Sequence, residues 1–586
     1  MDEAHNLLSK DRRNHLLASV ITILNHRNSS LAVKYLTPFI NDIKNIGLKF
    51  NPSPDLSFFI DEYVKTEFFY LADFRSGNVE SYLYDQFTNC FIERKASANN
   101  HLDYVFENSV SKNIIYFNKP TDIELFIKEI IPSLPEIQSD ELKLAVDELS
   151  ELFDPDYLLI NSLKRGLAYH HGSMTESVRN YVEYLFRECT DLKFLVSSST
   201  LLEGINMPIE RLFLLCTKKG IGNLSASHFK NLVGRVNRFS EIFNEPNSKS
   251  VTKLKPEVHI VGTDKYSPSN ANYQAFLENR VNVSKESKDD PKNVLLDVVE
   301  IDEGNQEEYT DAVTRLENLE NGIVDDYKSR YVSTLIGKLL IANSVTEINI
   351  FDNEGEISEF IDNIAENSIS SSNQLIGIIY DAFISYIDDS LVESPLIRLR
   401  NKEAQMFYSM LLDWKIENKP FKLMIRLFIN YWDDLFKRMP DFQIYVGKWG
   451  DETKHSGGHR AHYTRVGNKT RAEKVNLAIV RIKEEEDFLE HELLRFIEIL
   501  NDLNKLDVEF YKMVKYGSTN EQIIKLIKIG FSKSVAELIL AKYSQFISNV
   551  PNSHSVKINN LILDEMMQRG ESLLQQLEVR MNVSGG

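Results

Sequence analysis

The chain has 586 residues, 42% hydrophobic and 10% aromatic, and a formal net charge of −19; that length exceeds one hydrophobic core and predicts three or four domains. An acidic total excludes a generic basic coat for nucleic acid but leaves room for a local basic channel. Cys90, Cys189 and Cys216 form no CxxC pair, which argues for a reducing compartment and against structural zinc; no apolar run approaches the roughly 20 residues that span a bilayer, and Met1–His5 is the wrong chemistry for a signal peptide, so a cytoplasmic protein is expected.

Asp2-Glu3-Ala4-His5 precedes an amphipathic helix with Leu16, Leu17, Val20 and Leu24 on one side. Val33–Phe39 follows as a short buried strand. Acidic loop, helix and strand make half of a doubly wound α/β unit. Aromatic segments between Ser57 and Glu107 read as strands or a hairpin turning at Gly77-Asn78, at the end of a first lobe or between lobes. Lys112–Phe117 is a strand. A helix begins near Thr121, with Glu124 closing a capping box, and opens a second α/β domain. Glu136–Phe153 is a helical insertion, and Lys193–Ser198, Arg211–Cys216 and Glu257–Gly262 supply strands. The polar, acidic stretch to Glu308 reads as a linker. From Tyr309 onward the apolar spacing is helical, apart from the alternating stretch Phe442–Gly450 and a basic segment reaching Lys474. Val475–Ile482 fits a strand or a helix.

Several constellations carry chemistry. An Asp-Glu pair at the end of a buried strand can hold Mg²⁺ through Asp2 and orient the attacking water through Glu3. His170 and His171 are adjacent, so their side chains point apart and a shared ion is disfavoured. Ser197-Ser198-Ser199-Thr200 offers hydroxyls that can grip a phosphate–sugar backbone without reading bases, and Gly204 permits close approach. Arg235 and Arg238, three apart, are expected on one helix face. A guanidinium reaching a γ-phosphate is worth about 10³–10⁵ in rate in some nucleotidases. Lys454, Arg460, Arg465, Lys469 and Arg471, interleaved with Trp449 and Tyr463, suit a single strand. His455, His459 and His462 lack a companion Cys, and a loop reading outweighs a metal there. A phosphate loop of the form GxxxxGK[ST] is absent, because Gly337-Lys338 and Gly447-Lys448 lack the upstream Gly and the hydroxyl.

In this order and spacing, Gly166–Phe186, Lys193–Pro208 and Phe229–Arg238 resemble the second RecA-like lobe of superfamily 2 helicases, closest to the superkiller-type DExH branch. The resemblance makes Asp2-Glu3-Ala4-His5 motif II, with Asp2 as the metal ligand, Glu3 aligning water and His5 on the nucleotide side. Thr37 falls at motif III and matches one hydroxyl position of Ser-Ala-Thr. His170-His171-Gly172 with Arg179 and Glu183 is similar to a segment that these helicases carry. Thr200, Glu203-Gly204, Asn206 and Pro208 resemble motif V, with Ser199 and Thr200 toward nucleic acid and Gly204 and Asn206 toward the nucleotide. Asn231, Gly234, Arg235 and Arg238 resemble motif VI, Gln-x-x-Gly-Arg-x-Gly-Arg, with Asn231 in place of Gln and Asn237 in place of Gly.

The fold this implies is an α/β RecA-like helicase lobe, the second complete and the first partial, followed by a mainly α-helical C-terminal region. The expected divisions are 1–105 (remnant of the first lobe and inter-lobe segment), 106–266 (second lobe), 267–308 (acidic linker), 309–440 (helical, winged-helix-like) and 441–586 (basic segment with a ratchet-like helical domain). The function it implies is an ATP-dependent helicase or translocase using ATP and Mg²⁺ on single-stranded DNA or RNA. Without a phosphate loop, the chain is expected to begin inside the first lobe and to hydrolyse ATP negligibly alone. An N-terminal segment or a partner subunit would complete the site. The alternative class is a non-catalytic nucleic-acid-binding or regulatory module derived from a helicase, with bacterial anti-phage defence as a possible setting.

Overall fold

The computed structural model describes residues 1, 4–10, 12–28, 30–37, 40, 42–51, 56–58, 64–77, 79–95, 98–199, 207–243, 251–281, 289–320, 332–388, 394–453, 461–550 and 555–584. An eight-stranded mixed sheet forms its centre. In chain order the strands are β1 (Phe68–Asp73), β2 (Glu80–Asp85), β3 (Cys90–Glu93), β4 (Asn113–Tyr116), β5 (Leu167–His170), β6 (Phe194–Ser197) and β7 (Arg211–Leu214). A two-residue hairpin, β8 (Lys218–Lys219) and β9 (Gly222–Asn223), precedes β10 (Glu257–Gly262). The sheet order is β3-β2-β1-β10-β7-β4-β6-β5. Strands β1, β10, β7, β4, β6 and β5 run parallel, and β2 and β3 are antiparallel. All four residues of β4, β5 and β6 are buried, which is why these strands are continuous apolar runs rather than alternating ones.

The aromatic segments assigned to the end of a first lobe or between lobes instead extend this sheet. Phe68 to Asp73 pair with Glu257 to Gly262 in register. Gly77, at the turn between β1 and β2, takes φ 74°, and Asn78 lies outside the described residues.

The helices of this half are α1 (Arg12–Arg27), α2 (His101–Glu107), α3 (Pro120–Ile130), α4 (Asp140–Leu152), α5 (Leu158–Leu163), α6 (Glu176–Glu188), α7 (Ala226–Gly234), α8 (Phe239–Phe243), α9 (Tyr273–Val281) and α10 (Gln306–Glu320). Helix α3 starts one residue earlier than expected, with Pro120 at its first position and no side-chain cap. Its fixed φ suits that position, so the capping box expected at Glu124 does not form. Lys112 is buried, and its Nζ donates to the carbonyls of Phe186, Cys189 and Leu192 at 2.7, 2.6 and 2.9 Å. It thereby satisfies acceptors that the end of α6 leaves open.

The N-terminal segment has a small core of its own. Leu7, Ala18, Ile21 and Leu48 pack with Val294, Leu295, Leu296 and Ala312. Helix α1 therefore buries His15, Ala18, Ser19, Ile21 and Thr22, while Leu16, Val20 and Leu24 are exposed. Of the side expected to face inward, Leu16, Val20 and Leu24 point outward, and only Leu17 packs, half-buried, against this core. Residues 294–296 had been read as part of an acidic linker. Val33–Thr37 does not form the expected strand. Leu36 donates to the Met1 carbonyl at 2.9 Å and accepts from Ala4 N at 3.1 Å, outside any ladder.

The C-terminal half comprises α11 (Leu335–Ala342), α12 (Ile350–Asp362), α13 (Ser372–Ala382), α14 (Lys402–Ile416) and α15 (Phe421–Arg438). Among the described residues of 309–440 the β pairings are two isolated bridges, Ile348–Ile387 and, reaching beyond the range, Ile369–Leu506. A three-stranded antiparallel sheet follows, β11 (Ile444–Tyr445), β12 (Glu452–Thr453) and β13 (Ala461–Thr464). Val475–Ile482 is helical, within α16 (Arg471–Asp487), which runs through a π-helical turn at Phe488–Leu493 into α17 (Leu494–Asp502). Then come α18 (Val508–Tyr516), α19 (Glu521–Lys528) and α20 (Lys533–Lys542), the hairpin β14 (Ile547–Asn549) and β15 (Val556–Ile558), and finally α21 (Ile562–Gln568) and α22 (Leu573–Ser584). These last elements share a core built on Leu526, Phe531, Ile539, Tyr543, Ile562 and Met566. Helix α22 returns to the central sheet's helices: Leu573 N donates to Glu148 Oε1 at 2.7 Å, and Arg580 lies over the Tyr184 ring at 5.8 Å. No helix among the described residues is long and apolar enough to cross a membrane.

Candidate nucleic-acid interface

Open parallel sheets place ligands beyond the C-terminal ends of their strands. There β5 ends in His170 and continues to His171, and β6 ends in Ser197 and continues to Ser198 and Ser199. Ser198 N donates to the His170 carbonyl at 3.4 Å, holding the two strand ends together. The two histidines diverge, as adjacency requires. His170 Nε2 meets Glu183 Oε1 at 2.8 Å. His171 stacks on Tyr169, with centroids 5.6 Å apart. Ser199 is half-buried at the sheet end. Thr200, Gly204 and Asn206 lie outside the described residues.

The segment with the two arginines is anchored where the chain enters β7, at the N-terminal edge of the parallel strands and so opposite the serine-bearing ends. Ile209 and Val236 form a parallel bridge, and Asn237 N donates to the Ile209 carbonyl at 2.6 Å. Lys65 Nζ donates to the Val236 carbonyl at 2.8 Å. Helix α7 is capped by Ser225, whose hydroxyl accepts from His228 N, and it ends at Gly234. Arg235 is buried and its Nε donates to Asn231 Oδ1 at 3.2 Å. Arg238 therefore does not share a helix face with Arg235. It lies past a left-handed turn at Asn237, φ 49°, and is half-buried. That turn explains why Asn stands where the resembling motif has Gly: asparagine is among the few side-chain-bearing residues that enter this region readily. A Cβ on Gly234 would meet nothing within 4 Å, so packing does not require glycine there.

At the N-terminal end, His5 Nδ1 and Thr37 Oγ1 are 3.3 Å apart, which joins the two segments read as motifs II and III. Asp2 and Glu3 lie outside the described residues, so the expected Mg²⁺ ligand has no described geometry.

The basic segment is engaged with carboxylates. Arg465 pairs with Glu452 at 3.1 Å, and Lys469 pairs with Asp451. Arg471 pairs with Asp154 at 2.6 Å and Asp156 at 2.9 Å. Lys128 meets Glu473 at 3.1 Å. Burial alone would raise the Glu473 pKa, but the Thr470 amide and Lys128 hold it down at about 2. Arg471 and Glu473 thus fasten α16 to the central domain, a structural role the sequence reading did not give them. Lys454 and Arg460 lie outside the described residues.

The two Gly-Lys pairs, at Gly337 and Gly447, are occupied by other structure. A Cβ on Gly337 would lie 2.3 Å from Glu354 Oε2. That carboxylate accepts from Ser333 N at 2.9 Å and Thr334 N at 3.0 Å and so fills the N-terminus of α11. Gly447 has φ 55° and sits in a short 3₁₀ turn before Trp449. Neither glycine offers a phosphate cradle.

One feature escaped the sequence reading. The hairpin β8–β9 presents Ile221 at 99% exposure. Beside it a cleft of about 470 Å³ is lined by Lys218, Asn223, Asn272, Asn279 and Arg280 among others. The available signal was Lys218-Lys219-Gly220-Ile221-Gly222-Asn223, two lysines entering a glycine-flanked turn.

Comparison with known proteins places part of this chain beside helicases. No protein-family model matches it. It is 35% identical over 83 residues to DNA polymerase theta of Caenorhabditis elegans, covering 14% of this chain and 5% of that protein. It is 29% identical over 140 residues to the ATP-dependent DNA helicase Hel308 of Thermoplasma volcanium, covering 20% and 21%. It is 27% identical over 134 residues to Anti-bacteriophage protein B of Escherichia coli, covering 23% and 18%. The chain thus spans about a fifth or less of each relative's length. Among solved structures, the DUF1998 helicase MrfA bound to DNA and AMPPNP matches with TM-score 0.29 and 11% identity, over 54% of this chain and 35% of that one, a likeness too low to argue from.

Proposed function

We propose that this chain is part of a DExH-type nucleic-acid helicase or translocase, the part that holds the strand and carries the arginines directed at the nucleotide. One observation supports this above the others: Ser198 and Ser199 stand at the C-terminal end of the parallel strands, with Ser198 N held to the His170 carbonyl at 3.4 Å. Ser199 and Thr200 grip backbone, and Arg235 and Arg238 face a terminal phosphate across a cleft. The apolar tip at Ile221, next to Lys218, suits insertion between bases. ATP and Mg²⁺ supply phosphoryl-transfer chemistry when a complete site is assembled. The described residues do not fit the whole group, so no hydrolysis step is derived for this chain alone.

Binding of a labelled oligo-dT or oligo-U strand to the purified chain, followed by anisotropy against salt, tests the reading. Micromolar binding that weakens steeply with salt is expected; no binding of either strand at low salt would sink it. Similarity to Anti-bacteriophage protein B supports anti-phage defence as the setting. Plaque counts in cells carrying the wild type or an Arg235→Ala, Arg238→Ala double variant would check it, with equal counts refuting the assignment.

A further inference from the structure

The cleft beside the hairpin β8–β9 lies beyond the C-terminal ends of β7 and β10, the edge where open parallel sheets hold ligands. Its walls are pinned. Tyr116 Oη donates to the Lys218 carbonyl at 3.0 Å. Asn118 Nδ2 donates to the Gly220 carbonyl at 2.8 Å, and Gly220 N donates back to Asn118 Oδ1 at 2.8 Å, so the hairpin is fixed to the end of β4. For the segment after β10, Arg75 Nη1 donates to the carbonyls of Pro268 and Ser269 at 3.0 and 3.3 Å. A cleft with fixed walls loses little freedom when a ligand enters.

Charge restricts the ligand. The chain has 86 acidic and 67 basic residues, yet among the described residues that line the cleft there is no carboxylate, while Lys218 and Arg280 are both present. Lys218 is half-buried, and its Nζ has no carboxylate or other acceptor among the described residues; neighbouring Lys219 is engaged, with its Nζ 3.1 Å from His228 Nε2. Arg280 is held by Nε, which donates to the Leu224 carbonyl at 2.7 Å, and by Nη1, which donates to the Asn279 carbonyl at 3.4 Å; Nη2 has no acceptor among the described residues. Two cations without counter-charge suit a dianion. A phosphate monoester carries about −1.5 to −2 at pH 7, whereas a phosphodiester inside a strand carries a single charge. The rest of the lining suits a planar body. Pro268, Ala271 and Ala275 are apolar, and the exposed amides of Asn223 and Asn270, which have no partner among the described residues, each offer donors and an acceptor in the pattern that reads a nucleobase edge. The volume, about 470 Å³, falls within the roughly 300–1,000 Å³ of small-ligand sites.

We infer that this cleft binds a nucleoside monophosphate, with the phosphate on Lys218 and Arg280 and the base on the amides of Asn223 and Asn270. The nucleotide is either free or the phosphorylated end of a strand; the internal backbone of a strand is not the ligand. The site stands at the opposite edge of the sheet from the arginine segment and goes beyond the strand-holding reading above.

The test is isothermal titration calorimetry of the full chain with AMP, UMP, adenosine and inorganic phosphate. AMP or UMP is expected to bind about tenfold or more tightly than inorganic phosphate, and adenosine to give no heat. Lys218→Ala and Asn223→Ala remove side chains without partners, so folding is preserved, and each is expected to weaken the nucleotide about tenfold. No binding of either nucleotide, or affinities equal in the wild type and both variants, overturns the inference. Inorganic phosphate binding as tightly as AMP also overturns it, because the base is then not recognised. Competition separates the two sources. Displacement of AMP by oligo-dT carrying a 5′- or 3′-phosphate, but not by oligo-dT with hydroxyl ends, supports the end of a strand. Bound AMP that no oligo-dT displaces supports a free nucleotide. Equal displacement by phosphorylated and hydroxyl-ended oligo-dT means backbone contact and overturns the inference. If AMP binds and no strand does, the proposed function fails and the nucleotide site stands.

Discussion

Asn237 is held in the left-handed region, φ 49°, by a 2.6 Å hydrogen bond from its amide to the carbonyl of Ile209. The position needs a backbone conformation first and a side chain second. Asn237→Gly should keep stability within about 0.5 kcal/mol, while Asn237→Val should lower it by about 1–2 kcal/mol. Urea denaturation checks this, and equal loss for both variants would refute the account.

Gly337 inverts a usual rule. Replacing an interior helical glycine with alanine usually stabilises by about 1 kcal/mol. Here the new Cβ would lie 2.3 Å from Glu354 Oε2, and Gly337→Ala should destabilise by about 1–3 kcal/mol. In a Glu354→Ala background the same change should stabilise. A double-mutant cycle measured by thermal unfolding decides it, and additive effects would count against the contact.

His259 is buried between Tyr70 and Phe213, with Tyr104 Oη at 2.9 Å from its Nδ1. Burial depresses its pKa to about 4, against a partial offset from Glu257. Between about pH 6.5 and 4 the unfolded chain binds a proton that the folded chain does not. Its contribution to stability is therefore present above about pH 6.5 and lost as pH falls through 4, on the order of 3 kcal/mol in all. His259→Gln should flatten this limb in urea unfolding at a series of pH values. His171, depressed to about 3, should leave a residual slope.

Arg235 and Arg238 should separate in their effects on stability. Arg235→Ala removes a buried guanidinium that donates to Asn231 and should cost about 1–3 kcal/mol. Arg238→Ala, at a half-buried position, should cost about 1 kcal/mol or less. Melting temperatures test the order, and a larger loss for Arg238→Ala would contradict it.

Arg465, Lys469 and Arg471 illustrate charge already neutralised. Changing Arg471 to Gln should leave the salt slope of strand binding unchanged, because Asp154 and Asp156 already pair with it. It should loosen the attachment of α16 to the central domain, measurable as faster amide exchange in Arg471–Val475. A slope reduced by about one would restore a direct phosphate contact.

The buried strands were legible because burial on both faces writes an apolar run into the chain: Glu257–Gly262 is a strand over the range its composition suggested. What pairs with what was not legible. Phe68 lies beside Glu257, and Arg471 reaches Asp156 across 315 residues; neither partner leaves a local mark. Helix α1 carries two apolar sides, and periodicity alone favoured the leucines over Ala18 and Ile21. The arginine segment was recognisable by spacing, but its shape was not, since the left-handed turn at Asn237 depends on Ile209. Trp449 was read as a base-stacking aromatic, and its place against His171 depends on how the small sheet packs.

Helix α22 gives the far end of the chain a mechanical role. By capping itself on Glu148 and laying Arg580 over Tyr184, it hitches the terminal helical unit to α4 and α6. Any displacement of α4 or α6 is thereby passed to that unit through the Glu148 hydrogen bond and the Tyr184 ring contact.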